Sequence, residues 1–436
     1  MELRNFINGS FINSISKRNI PVLNPANQKL VGNIDEALDE EIDLAFHAAK
    51  RAFDKRILVD MDAKDKSNMM RAIAQKLRER KEEGGKLLSQ ENGKTIKQCV
   101  DEFKGAADTF DFYAGLTDKI ENKLIPSDHD TLNYVILEPF GVALQIVPWN
   151  YPVSIFSGMV AQNWIVGNTI VIKPPELCPI SSNFYGQIFE DVGVPKGIIN
   201  IVHGYGDTAG DAVVKKCDIV SFTGGTKTGR LVAANAAKSF KKCSLELGGK
   251  NPNIIFADCN YAQMLKTTVR SSFANQGQIC LCGSRIFVEK PLYAKFKTDF
   301  IAEVQKLKVG HPMEEVNLGA VVSEAHRDKI ESYIQLAQEE GGTILTGGKR
   351  VTVKGYENGY YLEPTVIEVP DAQCRVNQEE IFGPVVTLMP FETEEEVMAY
   401  ANGVKYGLSA TLWTSNLDRT LRLSKQLETG IVWVNT

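Results

Sequence analysis

The order of apolar and polar positions predicts a helical beginning of the chain. Over residues 36–56 and 61–92, apolar residues recur every three or four positions, and Lys, Glu and Asp occupy the other positions. This period is typical of amphipathic helices. Residues 131–139 have the composition of a strand, which we expect in an exposed hairpin.

The pattern changes after residue 140, where short apolar runs alternate with helical stretches. Strands are predicted at 141–147, 169–173, 198–202, 218–223 and 244–247. Helices are predicted at 152–166, from the second strand to about 192, and at 226–239. Such alternation is typical of βαβ units and a parallel sheet, which binds nucleotides at the carboxyl ends of its strands.

A second α/β domain is predicted after residue 253. Its strands are expected at 254–256, 285–288, 343–345 and 385–389, with helices between them. The turn-rich segment 248–252 marks the boundary between the two domains.

Length and composition exclude several classes of protein. The chain has 436 residues, a length that predicts more than one domain. Its net charge of -5 argues against a nucleic-acid binder. No apolar run is long enough to span a bilayer, and the first residues lack the pattern of a signal peptide, so a cytoplasmic location is expected. The eight cysteines are scattered, and their spacing argues against a zinc site.

Two ionisable residues are candidates for chemistry. Cys280 follows a glycine-containing turn at the end of a helical segment, so it is either a nucleophile or a buried core cysteine. Glu246 interrupts an apolar strand before two glycines. Apolar surroundings raise the pKa of a carboxyl group and suit a general base, although an ion-paired glutamate at a strand end fits the pattern equally well.

Two further stretches are suited to binding. Asn150 lies between a strand and a helix, where its amide can either stabilise an oxyanion, worth about 3–4 kcal/mol, or cap the helix after Pro152. The glycines of residues 222–229 place backbone amides at a helix start, which suits a phosphate or an ordinary turn. Neither this stretch nor Gly204, Gly206 and Gly210 has the spacing of the dinucleotide fingerprint.

Together, six ordered motifs closely resemble the aldehyde dehydrogenase family. They are Pro148-Trp-Asn-Tyr-Pro, Lys173-Pro-Pro-Glu176, Phe222-Thr-Gly-Gly-Thr, Glu246-Leu-Gly-Gly-Lys-Asn-Pro, Asn275-Gln-Gly-Gln-x-Cys280 and Glu379-Glu-Ile-Phe-Gly-Pro384. The separation of 34 residues between Glu246 and Cys280 also resembles the family pattern.

The resemblance implies an α/β fold with a Rossmann-like parallel-sheet cofactor domain and an α/β catalytic domain. The implied NAD-binding domain comprises residues 1–122 and 141–248, and the catalytic domain comprises residues 249–436. Residues 123–140 would form a β-hairpin that serves oligomerisation.

The resemblance also implies a mechanism. Cys280 would attack an aldehyde to form a thiohemiacetal, and its backbone amide and the Asn150 side chain would form the oxyanion hole. Loss of hydride would give a thioester, which water activated by Glu246 would hydrolyse to a carboxylic acid.

NAD is the implied cofactor, because Lys173 and Glu176 would hold the adenosine ribose and Glu176 would repel the 2′-phosphate of NADP. His326 and Lys329 would lie near the nicotinamide ribose. The residues implied to bind the cofactor are Val147, Pro148, Trp149, Asn150, Lys173, Glu176, Gly206, Phe222, Gly224, Gly225, Thr228, Leu247, Gly248, Glu380 and Phe382.

The sequence departs from the family at several positions. Gly225 stands where serine is frequent, and Trp164 lies in a run of usually small residues. Ala274 stands six positions before Cys280, where a larger residue is usual, so a wider substrate pocket is expected.

The carboxyl-terminal end, Val432–Thr436, reads as a strand, after which the family continues with a glycine-rich segment and a strand that pairs with a neighbouring subunit. A homodimer or homotetramer is expected with that segment, and impaired assembly without it.

The run Ile279-Cys-Leu-Cys282 is similar to that of the 2-aminomuconic semialdehyde dehydrogenase branch. Residues 98–115 contain no arginine that could bind an acidic substrate, and Lys104 is the nearest cation. A medium-sized aldehyde is therefore expected. Cys282 is either a packed neighbour of Cys280 or its partner in a protective disulfide under oxidation.

Three alternative functions stay open. A relative that transfers the acyl group to coenzyme A would typically lack the glutamate found at 246. A non-catalytic protein with the same fold would bind NAD without turnover, and a cysteine hydrolase would pair Cys280 with a distant histidine.

Overall fold

The computed structural model describes residues 2–15, 18–206 and 209–436. The chain forms two compact units. The first comprises Met1–Leu23, Leu30–Glu91 and Lys97–Glu246, and the second comprises Asn24–Lys29, Asn92–Ile96 and Leu247–Thr436. The domain boundaries that the family resemblance implies stay predictions.

The elements up to Glu246 follow one another in this order. They are β1 (Glu2–Leu3), β2 (Asn5–Ile7), β3 (Ser10–Ile12), β4 (Asn19–Leu23), β5 (Leu30–Asp35), α1 (Asp39–Asp54), α2 (Ala63–Glu79), α3 (Lys81–Asn92), α4 (Ile96–Ala114), β6 (Lys123–Ile125), β7 (Asn133–Val135), β8 (Val142–Ile146), α5 (Pro152–Val166), β9 (Thr169–Lys173), α6 (Ile180–Val192), β10 (Ile199–Ile201), α7 (Ala209–Lys216), β11 (Ile219–Thr223), α8 (Thr226–Ala237) and β12 (Lys242–Glu246).

A twisted sheet with the order β12-β11-β8-β9-β10-β2-β3 forms the centre of the first unit. The strands from β8 to β12 run parallel to one another, whereas β2 pairs antiparallel with β10 and β3 pairs antiparallel with β2. All five residues of β9 are buried, which explains its uninterrupted apolar run. The α/β class predicted from the sequence is therefore confirmed.

The helical prediction for residues 61–92 is wrong in one respect, because α2 ends at Glu79 and α3 begins at Lys81. The backbone at Arg80 leaves the helical region, with φ -105° and ψ 13°. A break of one residue hardly disturbs the apolar period, so the pattern does not reveal it. The long helix α4 was not predicted, although it buries Phe103 and Phe110 completely.

The predicted strand over 131–139 is shorter than expected. Only Asn133–Val135 forms a strand, and it pairs antiparallel with β6 in a two-stranded hairpin. All residues of both strands are exposed. Trp164, the bulky departure on α5, is fully buried in the core of the first unit.

The elements after Leu247 build the second unit. They are β13 (Pro252–Ile255), α9 (Tyr261–Phe273), β14 (Arg285–Glu289), α10 (Lys290–Gln305), α11 (Glu324–Glu339), β15 (Thr343–Thr346), β16 (Thr365–Glu368), α12 (Arg375–Gln378), β17 (Val385–Phe391), α13 (Glu394–Asn402), β18 (Ser409–Trp413), α14 (Leu417–Gln426) and β19 (Ile431–Val434).

The sheet of the second unit has the order β15-β16-β17-β14-β13-β18-β19. Only β15 pairs antiparallel with its neighbour, and the other pairs are parallel. Arg285 on β14 is fully buried and donates hydrogen bonds to the carbonyls of Lys250, Tyr400 and Ala401. It thereby ties the segment before β13 to the end of α13. Among the described residues, no helix is long and apolar enough to cross a membrane.

Candidate active site

A cavity of about 470 Å³ lies at the carboxyl ends of β8, β9 and β11 in the first unit. The chain runs from β8 to β9 and β10 on one side, then returns to add β11 on the other side of β8. Such a reversal opens a crevice in a parallel sheet. Ten residues implied to bind the cofactor line the cavity, namely Val147, Pro148, Trp149, Lys173, Glu176, Gly206, Phe222, Gly224, Gly225 and Thr228.

The chemistry of this cavity fits a dinucleotide. Lys173 is buried, and its Nζ donates a hydrogen bond to Glu176 Oε2 at 2.9 Å, which places a cation and a carboxylate side by side. Gly225 is the N-cap of α8, and no side chain caps this helix. The first amides of α8 therefore have no side-chain cap, and such a helix start is suited to a negatively charged ligand.

The cavity also has an apolar wall that was not predicted from the sequence. Val214 on α7 and Leu231 and Val232 on α8 contribute to it, together with Leu177. Leu231 is 62% exposed, although it lies in a helix of mixed polarity. The sequence signal that could have predicted this wall is Leu231, an apolar residue on the solvent side of the helix that follows the glycine turn.

Asn150 and Glu246 belong to the same unit. Asn150 is buried, and the N-cap of α5 is Tyr151, so the alternative that Asn150 caps this helix is not found. The carboxylate of Glu102 instead accepts hydrogen bonds from the amides of Val153 and Ser154, both at 3.0 Å. Glu102 therefore fixes the helix start that follows Asn150, a role that was not predicted.

Of the two alternatives for Glu246, the structure does not support the one in which apolar side chains surround the carboxylate. Strand β12 lies at the edge of the sheet, and Glu246 at its end is exposed. Its carbonyl accepts a hydrogen bond from the amide of Gly224 at 3.0 Å. Glu246 therefore lies beside the glycine turn, with its carboxylate accessible to water.

Cys280 lies in the second unit, after a turn of unusual backbone geometry. Asn275, Gln276 and Gly277 all have left-handed φ angles, of 50°, 55° and 68°. All three residues are buried, whereas Cys280 is half-buried. For residues other than glycine, this conformation costs about 1–2 kcal/mol each, so surrounding contacts must hold the turn in place.

Buried amide side chains supply these contacts. Gln276 Nε2 donates hydrogen bonds to the carbonyls of Ala320 at 2.7 Å and Gly93 at 3.3 Å. Gln278 Oε1 accepts one from the amide of Val322 at 3.1 Å. Asn251 Nδ2 donates to the carbonyl of Cys280 at 2.7 Å and to that of Cys282 at 2.9 Å. Asn251 lies in a motif noted in the sequence, but this role was not predicted.

Glu380 and Phe382 lie close to Gly248 and to this turn. Glu380 Oε1 accepts a hydrogen bond from the Gly249 amide at 3.1 Å, and a side chain at Gly248 would clash with the Glu380 carboxylate. Burial raises the pKa of Glu380, and the Gly249 amide opposes this shift. Phe382 has a left-handed φ of 64°, and its carbonyl accepts a hydrogen bond from His326 Nε2 at 2.7 Å.

Lys329, His326 and Leu247 also belong to the second unit. Lys329 Nζ donates to the carbonyl of Glu380 at 3.2 Å. Burial lowers the pKa of His326 to about 4, so this imidazole is neutral at pH 7. Leu247 is half-buried at the start of the second unit.

Cys282 differs from Cys280 in its surroundings. It is buried, and its Sγ–H donates a hydrogen bond to the carbonyl of Ser272 at 3.2 Å. Burial raises the pKa of Cys282 to about 12, which keeps the thiol protonated at neutral pH. Neither cysteine forms a disulfide, and the burial and hydrogen bond of Cys282 favour the alternative in which it is a packed neighbour.

Comparison with known families and proteins places the chain among aldehyde-oxidising enzymes. The family described as "Aldehyde dehydrogenase family" matches residues 11–436. The chain is 40% identical to 2-aminomuconic semialdehyde dehydrogenase of Danio rerio, over 99% of the chain and 90% of that protein. It is 37% identical to betaine aldehyde dehydrogenase of Bacillus subtilis, over 99% of the chain and 89% of that protein.

Solved structures with the same fold are also known. One of them is an NAD⁺ complex of an aldehyde dehydrogenase from Bacillus cereus, with a TM-score of 0.97 and 35% identity. The match covers 100% of the chain and 89% of that structure. The arrangement of elements in both units is thus that of a known enzyme.

Replacement of Gly277 by alanine tests the turn before Cys280. A Cβ atom at this position would lie 2.0 Å from the carbonyl oxygen of Gly383, and the φ of 68° disfavours any side chain. We expect Gly277→Ala to destabilise the protein by at least about 2 kcal/mol, because a left-handed alanine is strained and the clash is with backbone. Denaturant unfolding measures this loss.

Gly283→Ala is the matched control in the same loop. Its Cβ would meet its nearest neighbour, Asn253, at 3.4 Å, an ordinary contact, and its φ is not left-handed. Equal unfolding midpoints for the two variants would contradict the described turn.

Proposed function

Because the chain belongs to the aldehyde dehydrogenase family, we propose that it oxidises an aldehyde to a carboxylic acid with NAD, using Cys280 as the nucleophile and Glu246 as the base. The family and the enzyme class predicted from the six ordered motifs are confirmed by this membership. The residue roles, the domain boundaries, the cytoplasmic location and the oligomeric state are predictions.

The cofactor assignment is supported by the cavity of the first unit. Lys173 and Glu176 would hold the hydroxyls of the adenosine ribose, and the amides at Gly225 would face the pyrophosphate. The carboxylate of Glu176 disfavours a 2′-phosphate at the same place, so NAD rather than NADP is the cofactor. The NAD⁺ complex of the Bacillus cereus enzyme supports the same choice.

The proposal rests on the position of Cys280, which is half-buried and follows the buried left-handed turn at residues 275–277. Its sulfur, as the thiolate, adds to the aldehyde carbon, and the carbonyl oxygen takes the electron pair. The amide of Asn150 and the backbone N–H of Cys280 donate hydrogen bonds to this oxyanion, which lowers the barrier. NAD, when bound, supplies the acceptor for the hydride that leaves the thiohemiacetal carbon.

The remaining thioester on Cys280 requires water. Glu246 takes a proton from a water molecule, whose oxygen attacks the acyl carbon. The carbon–sulfur bond breaks, and the carboxylic acid leaves as the thiolate is restored. The exposed carboxylate at the end of β12 supports this role, since water reaches it directly.

The alternatives differ in one measurable property each. Transfer to coenzyme A would require this thiol in the assay, a non-catalytic protein would bind NAD without turnover, and a cysteine hydrolase would not reduce NAD. The presence of Glu246 argues for hydrolysis by water.

Formation of NADH with a panel of aldehydes tests the proposal. We expect activity without coenzyme A, a preference for NAD over NADP, and loss of at least about 10³-fold in kcat for Cys280→Ala, because the covalent route is removed. Absorbance of NADH measures each rate.

Cys282→Ser is the matched control, because Cys282 is a buried thiol that takes no part in the proposed chemistry. Its kcat should be much closer to that of the unchanged protein than that of Cys280→Ala. NADH formation by Cys280→Ala at the unchanged rate would refute the nucleophile, and a clear preference for NADP would refute the role of Glu176.

A further inference from the structure

The second unit contains a cavity of about 420 Å³ beside the nucleophile. Ile279 and Leu281, the residues on either side of Cys280, line it. Helix α9 contributes Thr267, Arg270 and Ser271, and strand β18 contributes Thr411. The volume lies within the range of small-molecule sites.

One residue that lines the cavity has a small side chain. Ala274, which stands where a larger residue is usual, is one of its lining residues. A small side chain at this position leaves room between the end of α9 and the loop of Cys280. Cys280 is not among the lining residues, so a substituent of the aldehyde would enter the cavity past its neighbours Ile279 and Leu281.

Arg270 gives this cavity its charge. The cavity has no acidic side chain, and its other ionisable side chain is Cys282, whose thiol is neutral at physiological pH because burial raises its pKa to about 12. Trp433 and Thr436 also line it, and the main-chain carboxyl group of Thr436 is the one anionic group among the lining residues. Among the residues that the structure describes, Arg270 has no ion-pair or hydrogen-bond partner for its guanidinium. Its charge is therefore available to a ligand.

Three residues with hydroxyl groups line the same cavity. Thr267 and Ser271 lie three positions before and one position after Arg270 on α9, and Thr411 belongs to β18. A planar guanidinium with nearby hydroxyl donors is suited to a carboxylate, which accepts several hydrogen bonds at once. A quaternary ammonium group would be repelled by the same charge.

Resting on the proposed function, we propose that Arg270 is a specificity-determining residue that binds a carboxylate at the far end of the substrate. The preferred substrates are then semialdehydes, which carry an aldehyde at one end and a carboxylate at the other. This assigns to Arg270 the cationic role for which no arginine is found between residues 98 and 115.

Matched pairs of aldehydes test the assignment. We compare kcat/KM for succinic semialdehyde with that for butanal, and for glutaric semialdehyde with that for pentanal, so that each pair differs in the carboxylate. The unchanged protein should prefer the semialdehyde in at least one pair. Arg270→Met should lower this preference about tenfold, mainly through KM, and Arg270→Lys should retain part of it.

Lys266→Met is the matched control. It removes one positive charge from the same helix but from a side chain that does not line the cavity, so the preference should stay within about twofold of that of the unchanged protein. Arg270 also lies in the last turn of α9, where a cation stabilises the helix dipole. A purely structural role would lower kcat/KM for both members of a pair equally and leave the preference unchanged.

Two results would overturn the assignment. One is an unchanged preference in Arg270→Met, and the other is an unchanged protein that prefers the neutral aldehyde in both pairs. Failure of the proposed function looks different, because no aldehyde of either kind would then produce NADH.

Discussion

The geometry around Cys280 depends on one buried left-handed turn. Asn275, Gln276 and Gly277 reverse the chain directly after α9, and only tertiary contacts can hold two non-glycine residues in this conformation. The side-chain amide of Gln276 offsets this strain by donating hydrogen bonds to the carbonyls of Gly93 and Ala320. Gly277 packs against the backbone at Gly383. Hydrogen bonds to the backbone of this loop therefore hold Cys280, the proposed nucleophile, in position.

The two cysteines of the loop show how surroundings decide chemistry. Cys282 packs under the loop as a protonated, hydrogen-bonded thiol, while Cys280, two residues earlier, stays half-buried. Asn251 holds the carbonyls of both residues and so fixes their separation. In the first unit, Lys173, Glu176 and the glycine turn at residues 224–225 line one cavity at the carboxyl ends of the strands.

Much of the fold was predictable, because strands such as β9 are buried on both faces and their apolar runs are bounded by turns. The break at Arg80 was not, since the apolar period continues through it. The sequence left two alternatives open for the surroundings of Glu246, because it does not show that β12 is an edge strand. The supports of the site, Glu102 and Asn251, were missed for a related reason: their partners are backbone groups, which leave no mark in the sequence.

The thioester on Cys280 can be detected by mass spectrometry of the protein and its peptides, which follows an acyl group on this residue during turnover. Glu246→Gln should be mixed with NAD and an aldehyde, then quenched with acid. We expect a thioester adduct on Cys280, together with about one equivalent of NADH, because the acyl group forms and its hydrolysis is slowed. One equivalent of NADH without an adduct on Cys280, or an adduct on another residue, would contradict it.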